Sequence, residues 1–253
     1  MNFLLKYRRP VDIKWKYRYH ADVVRWAVET LGNDGRESYD FYREKNETTG
    51  MNYTEILQKG TIDADLPGSW GYVYHWLHFH HPWRHTGYFD CRYSAGNAVE
   101  ARVERAIRQW RKGLNHLAVY QIGRAVHVIQ DSWVPYHAAL TAGRGHGEFE
   151  EWVYEHGEDF RVLRGGYYRW ELIFRDTSYA DYGPHRINSQ TPYHWVEIGA
   201  HTSLSWFEKY LDRERFPQYK KYFSRAASQL VPGCIRCVAG FLDFCYHRLF
   251  RNK

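Results

Sequence analysis

The sequence predicts an all-α fold with long loops, and three observations carry that expectation. Apolar residues recur at helical spacing in stretch after stretch, and no run of alternating apolar and polar residues is long enough to nucleate a sheet. The composition, 44% hydrophobic with 25% charged over 253 residues, is that of a globular chain, which excludes a disordered tract, a collagen and a disulfide-dense scaffold. A chain this long buries a sizeable core unaided, so a metal would be present for chemistry rather than to make it fold.

The first helix is read over 20–32, where Val23, Val24, Ala27, Val28 and Leu31 share a face and Gly32 is placed to end it. From 33 to 90 the residues Gly, Asp, Asn and Pro recur and periodicity is poor, so the stretch reads as irregular with one helix at 51–59. Helices follow over 95–114 (Val99, Val103, Ala106, Ile107 and Trp110), 116–132 and 146–163, each with an apolar stripe. A second irregular segment, aromatic and Gly-rich, fills 164–190, and helices over 193–213 and 217–250 close the chain. No repeat or linker-like shift in composition interrupts it, so residues 1–253 read as one domain. A loop as long as 60–90 needs a reason in a compact domain, and metal ligation supplies one.

An excess of 35 Lys and Arg over 29 Asp and Glu gives +6 at neutral pH, a bias toward phosphates, nucleic acid or an acidic membrane surface. Fifteen histidines move metal binding up the list of functions. Cys91, Cys234, Cys237 and Cys245 are too few and too clustered for a disulfide framework. The C-x-x-C of Cys234 and Cys237 lies in an apolar helical run without a second such pair, and reads as thiols packed on a helix face. At the amino terminus, MNFLLKYRRP puts apolar residues before basic ones, the reverse of a signal peptide, so a cytoplasmic protein is expected. The longest apolar run, 231–250, contains Arg236, Asp243 and His247 and is a poor membrane span.

The strongest chemical signal is His127-Val-Ile-Gln-Asp131-Ser-Trp-Val-Pro135-Tyr-His137. His127 and Asp131, four apart on a helix, leave the same face and can share one ion, and the turn at Pro135 can bring His137 back beside them. Such a pair plus a third ligand is a donor set that zinc accepts. His146 and Glu150 form another i, i+4 pair at the mouth of the next helix. Each pair alone reads as an exposed ion pair, but two within 24 residues, the first among Ala125, Val126, Val128 and Ile129, favour a bound cation over a bare buried charge. Upstream, Asp63 and Asp65 lie in a Gly-led loop, and His75, His78, His80, His81 and His85 crowd the following residues, most of them not expected to be ligands.

These pieces resemble, in order, the zinc-dependent phospholipase C family, whose all-α fold and trinuclear zinc site are shared with the single-strand-specific zinc nucleases. His20 opens a helical HADVVRWAVETLG; Asp65 ends GTIDAD; His78 begins HFHHP, close to HF-x-x-P. IGRAVHVIQDSWVPYHAA is similar to the family's G-x-x-x-H-x-x-x-D-x-x-x-P-x-H-A, and His146 with Glu150 fits its closing H-x-x-x-E. The resemblance spans about 20–153 and implies two or three Zn2+ ions: one among Asp65, His78, His127 and Asp131, one among His137, His146 and Glu150, and a third on His20 and Asp131. It leaves His80 and His81 behind the ligands or on the surface, and Asp63 as a loop carboxylate. In the family a processed N-terminal Trp completes the third site; Trp15 lies five residues before His20, as in the nuclease branch, yet fourteen residues precede it, so either processing takes another route or the third site is altered.

The activity implied is hydrolysis of a phosphodiester by metal-activated water, with Asp65 as candidate general base. A phospholipid substrate fits the H-x-x-x-E ending; a nuclease acting on single-stranded nucleic acid fits the Trp15 spacing and the charge, though that branch closes with H-x-x-x-D; a non-catalytic, metal-stabilised binding protein is the third reading. Peripheral membrane contact would fall to surface aromatics such as Trp70, Tyr72 and Trp83.

Overall fold

A computed structural model describes residues 13–65, 75–143 and 145–251, without the side chains of 13–17, 75 and 76. Trp70 and Tyr72, and the side chain of Trp15, therefore lie outside the described residues. The all-α expectation holds, with helices in every stretch where the stripe predicts one.

Helix α1 (Ile13–Asn33) starts seven residues before the stripe does and buries Val24, Ala27, Val28 and Leu31. It ends one residue beyond Gly32, at Asn33, and the terminating left-handed residue is Gly35 (φ 67°), with the Arg36 N–H donating to Leu31 O. Gly32 serves packing instead, since a Cβ there would lie 2.9 Å from Cδ2 of the Tyr39 ring. A short α2 (Ser38–Arg43) follows, then α3 (Tyr53–Asp63), opened by a capping box in which the Asn52 side chain accepts from Glu55 N–H and the Glu55 carboxylate accepts from Asn52 N–H.

Gly60 and Asp63 sit on the last turn of α3, not in the Gly-bounded loop that the sequence suggests. The reason is a helix crossing. Helix α4 (Ala95–Trp110) leads to α5 (Asn115–Ser132), which is buried almost throughout from Ala118 onward, and α3 lies directly against α5. A Cβ on Gly60 would stand 2.3 Å from Tyr120 O, and one on Gly123 would stand 2.2 Å from Leu57 O. Thr61 Oγ1 donates to Leu57 O and Gly123 O, both at 2.9 Å. Gly60 is thus a contact residue rather than a helix breaker.

Pro135 begins α6 (Pro135–Ala138), occupying the first helical position where its missing N–H costs nothing. Helix α7 (His146–His156) follows Gly145 at φ 84° and stops seven residues short of the expected end, passing into a 3-10 turn over Gly157–Phe160. Within the second irregular stretch β1 (Glu171–Phe174) pairs antiparallel with β2 (His185–Asn188), Leu172 opposite Ile187. Sequence periodicity missed this hairpin because its strands are four residues long and Ile187 alone among them is buried, so no alternation exists to detect.

Helix α8 (His194–Trp206) runs into a π turn over Phe207–Leu211, and α9 (Phe223–Cys245) into another over Tyr246–Phe250. Trp26, Trp195, Phe241 and Ile235 fill the core between α1, α8 and α9. Cys234, Cys237 and Cys245 are free and buried on α9, as packed thiols should be. Burial pushes the Cys237 thiol up to about 12, which keeps it protonated and unreactive. Among the described residues no helix is long and apolar enough to cross a membrane.

The helix crossing makes a testable claim. Ala in place of a helical Gly is ordinarily favourable by about 1 kcal/mol. Gly123→Ala should instead lower stability by roughly 1–3 kcal/mol, because the added methyl meets a main-chain oxygen that cannot rotate away. Urea unfolding of the two proteins measures it; a midpoint at or above the parent's would refute the contact.

Candidate metal centre

The α3–α5 crossing sets the position of the polar cluster. Gly123, His127 and Asp131 fall on one stripe of α5, so where Gly123 meets α3 the two ionisable residues are carried just beyond its end, beside Asp65. His127 and Asp131 are buried, and their Nε2 and Oδ2 atoms lie 3.2 Å apart. Asp65 Oδ1 stands 3.2 Å from His127 Nε2 and 3.5 Å from His78 Nδ1, while His78 Nδ1 is 2.7 Å from Asp131 Oδ2. The four residues expected to share one ion therefore converge.

The second expected set also forms. His137 returns on α6, and its Nδ1–H donates to His78 O at 3.1 Å; a carbonyl only accepts, so this bond leaves the Nε2 lone pair free. That atom lies 2.8 Å from His146 Nε2 and 3.6 Å from Glu150 Oε1, with His146 Nε2 2.8 Å from Glu150 Oε1. His137 Nδ1 is also 4.0 Å from Asp131 Oδ2, so the two sets adjoin. Phe79 stacks on the His137 ring at 4.5 Å and fixes its plane.

His20, on α1, is more loosely joined: Nε2 is 3.8 Å from Asp131 Oδ1, and its ring lies 4.4 Å from that of His127. Gln130 holds it from both sides, Oε1 meeting His20 Nδ1 and Nε2 donating to His20 O at 3.1 Å. Sequence reasoning missed this positioning residue, since a Gln beside a ligand carries no spacing signal. Asp63 stays apart, paired with Lys59 at 3.0 Å and accepting from Tyr120 OH at 3.1 Å.

The electrostatics call for cations. Burial opposes ionisation of Asp65, but His127 and His78 outweigh it and bring the carboxyl down to about 2. For Asp131 burial is opposed in the same way by His127 and His137, and its pKa falls well below the usual carboxylate range. Burial likewise opposes a charge on His127, yet Asp131 and Asp65 raise its pKa well above the ordinary value. The carboxylates thus demand positive charge, from a proton or a metal. His127 Nε2 and Asp131 Oδ2 make no aligned hydrogen bond despite their separation. Ligands of a tetrahedral zinc ion at 2.0–2.1 Å stand roughly 3.3 Å from one another. Nitrogen and carboxylate donors facing each other at that spacing without hydrogen-bond alignment fit a zinc-class ion.

Two expectations need correction. His80 and His81 are neither exposed nor behind these ligands; both are buried on another side of the loop, where His80 faces Glu197 of α8. Trp83 is no surface anchor: at 5% exposure it stacks on Tyr179 and meets His201 edge-on. His85 points at Glu197 as well.

A cavity of about 300 Å³ opens onto the cluster. Its lining combines His20, Asp65, His78, His137, His146 and Glu150 with the apolar Val134, Phe149, Val153, Leu230 and Val231.

A helical chain carrying contiguous His/carboxylate sets at a cavity is one class of protein, and two solved structures share the fold more closely than class alone. They are the alpha-toxin of Clostridium absonum (TM-score 0.64, 18% identity) and the alpha-toxin of an avian strain of Clostridium perfringens (TM-score 0.60, 17% identity). Each matches 92% of this chain, which spans 64% of the toxin's length. The chain has the alpha-toxin fold, and the resemblance read from the sequence is borne out at that level. No protein-family model and no curated protein matches it.

Proposed function

We propose that this chain is a zinc-dependent hydrolase of phosphodiesters, of phospholipase C type. The observation that carries the reading is the lining of the cavity, which combines clustered imidazoles and carboxylates with Val134, Phe149, Val153, Leu230 and Val231. Zinc held by the first group would attract a phosphate ester and the apolar residues would receive a neighbouring apolar group, which favours an amphiphile over a nucleic acid. The alpha-toxin fold and the family resemblance support the same conclusion.

Asp65, His78, His127 and Asp131 would hold one ion; His137, His146 and Glu150 a second; His20 and Asp131, with His127 close by, a third. Zinc bound in such a set activates water and neutralises charge on a phosphate and its leaving group. Of the carboxylates in the cluster Asp65 is the most accessible, with its side chain 36% exposed against 28% for Glu150 and 4% for Asp131. It is ionised at neutral pH and borders the cavity, where it can take a proton from an attacking water. His137 keeps its orientation through the His78 carbonyl, and Gln130 keeps that of His20. No Ser or Cys nucleophile is required.

In protein expressed with zinc this cluster should retain two ions tightly and a third weakly, because the His20 set is the most loosely joined of the three. Elemental analysis after graded exposure to a chelator tests this; fewer than one transition-metal ion per chain before chelation would refute the reading. Asp65→Asn should keep most of the metal and lose at least about a hundredfold in activity, the order expected for a general base, whereas His127→Ala should lose metal and activity together. Full activity in Asp65→Asn excludes the base role and leaves ligation standing. The substrate is decided by assaying a choline phospholipid, single-stranded DNA and a chromogenic phosphodiester side by side. Turnover of the lipid with chelator-sensitive kinetics is expected; cleavage of the DNA alone would establish the nuclease reading, and activity on none of the three the non-catalytic one.

A further inference from the structure

A second constellation of ligand-type side chains lies outside the cluster described so far. Its hub is Glu197 on α8, fully buried, with no Lys or Arg ion pair among the described residues. Four imidazoles surround it instead. His80 Nε2 and His85 Nδ1 stand 3.1 and 2.8 Å from Oε1, His185 Nε2 stands 4.0 Å from Oε1, and His201 Nε2 stands 3.8 Å from Oε2.

Hydrogen bonding accounts for only part of this arrangement, through the 2.8 Å bond between His85 Nδ1 and Glu197 Oε1. His80 Nε2, His185 Nε2, His201 Nε2 and Glu197 Oε2 are all buried without a hydrogen-bond partner, although unpaired buried polar atoms are rare in native proteins. The outer edges of the rings are held as ligand histidines commonly are. His80 Nδ1 lies 2.9 Å from Ser94 Oγ, which turns Nε2 toward Glu197, and His201 is stacked on Phe174 at 3.9 Å. His85 is kept in a left-handed backbone conformation (φ 54°), an uncommon state for a non-glycine residue, and this strain aims its ring at Glu197. The donor separations of 2.8–4.0 Å bracket the roughly 3.3 Å between ligands of a tetrahedral zinc ion.

We propose that Glu197 with His80, His85, His185 and His201 forms a second metal site, which holds one zinc-class divalent ion and clamps the 79–94 loop and the β1–β2 hairpin to α8. Glu197 belongs to two sets of mutually close donors, one with His80 and His85 and one with His185 and His201; two imidazoles, the carboxylate and a water would complete a four-coordinate ion, and His85, with its side chain 43% exposed, lies on the side open to solvent. The ion's role is positional. His80 follows His78 by two residues, and its N–H donates to His137 O at 3.3 Å, so an ion that fixes His80 also fixes the main chain carrying two side chains of the first centre. The inference does not rest on phosphodiester chemistry: it concerns metal held by residues that do not line the substrate cavity.

Metal counts on zinc-loaded protein test it. Glu197→Gln and, separately, His185→Ala should each hold one ion fewer per chain than the parent, while His127→Ala should keep the Glu197 ion and lose ions from the first centre. Stripping the parent of metal should speed hydrogen exchange in the 79–94 and 185–188 segments, and zinc should restore their protection. If Glu197→Gln fails to fold, His185→Ala and the exchange measurement on the parent decide the matter. Parent-like metal content in a folded His185→Ala protein, together with exchange in those segments that zinc leaves unchanged, would overturn the site and leave a proton-shared His–Glu cluster.

Discussion

Burying a carboxylate on a central helix costs several kcal/mol unless positive charge comes to meet it, and Asp131 is such a carboxylate. Much of the architecture can be understood as the means of bringing that charge. Helix α5 runs through the middle of the molecule, α3 is laid on it through Gly60 and Gly123, and the end of α3 delivers Asp65 with its demand for a partner. His78 enters from the loop, His127 lies one turn back on the same helix, His137 returns after the Pro135 turn, and His20 arrives from α1. No single element could assemble such a set, because a helix presents only the i, i+3 and i+4 positions of one face.

The loop from 75 to 94 follows from the same constraint. Its regular structure is limited to short 3-10 turns and a bridge between His81 and Thr86, yet His78, Phe79, His80, His81 and Trp83 are all buried. Its side chains diverge to two polar clusters, His78 toward Asp131 and His80 toward Glu197, with Phe79 between them on the His137 ring. A segment without regular hydrogen bonding keeps one conformation when it is pinned by side chains on both flanks. Its length is then no longer an anomaly for a compact fold.

The fold alone does not assign a reaction, since folds host many chemistries and the site decides. What narrows the choice here is the mixed lining of one cavity: ligand-type side chains from α1, α6, α7 and the segments around Asp65 and His78, together with apolar residues to which α9 contributes Leu230 and Val231.

The sequence by itself determined the helices and most of the first cluster, because both are written at short range. Apolar residues at helical spacing announce α1, α4, α5, α7, α8 and α9, and His127 with Asp131 and His146 with Glu150 announce themselves as i, i+4 pairs. Only the tertiary structure decided the rest. Whether Gly60 breaks a helix or lets one touch another depends on Gly123, 63 residues away. The four-residue strands of the hairpin carry no periodicity, so their pairing is visible only once they meet. Glu197 and its four histidines lie on three segments more than 100 residues apart at the extremes, and of their contacts only the Glu197–His201 pair is written at i, i+4 spacing. Spacing along a chain reports neighbours on one helix face, whereas a cluster gathered from a loop, a strand and a helix exists only after packing has excluded water from between them.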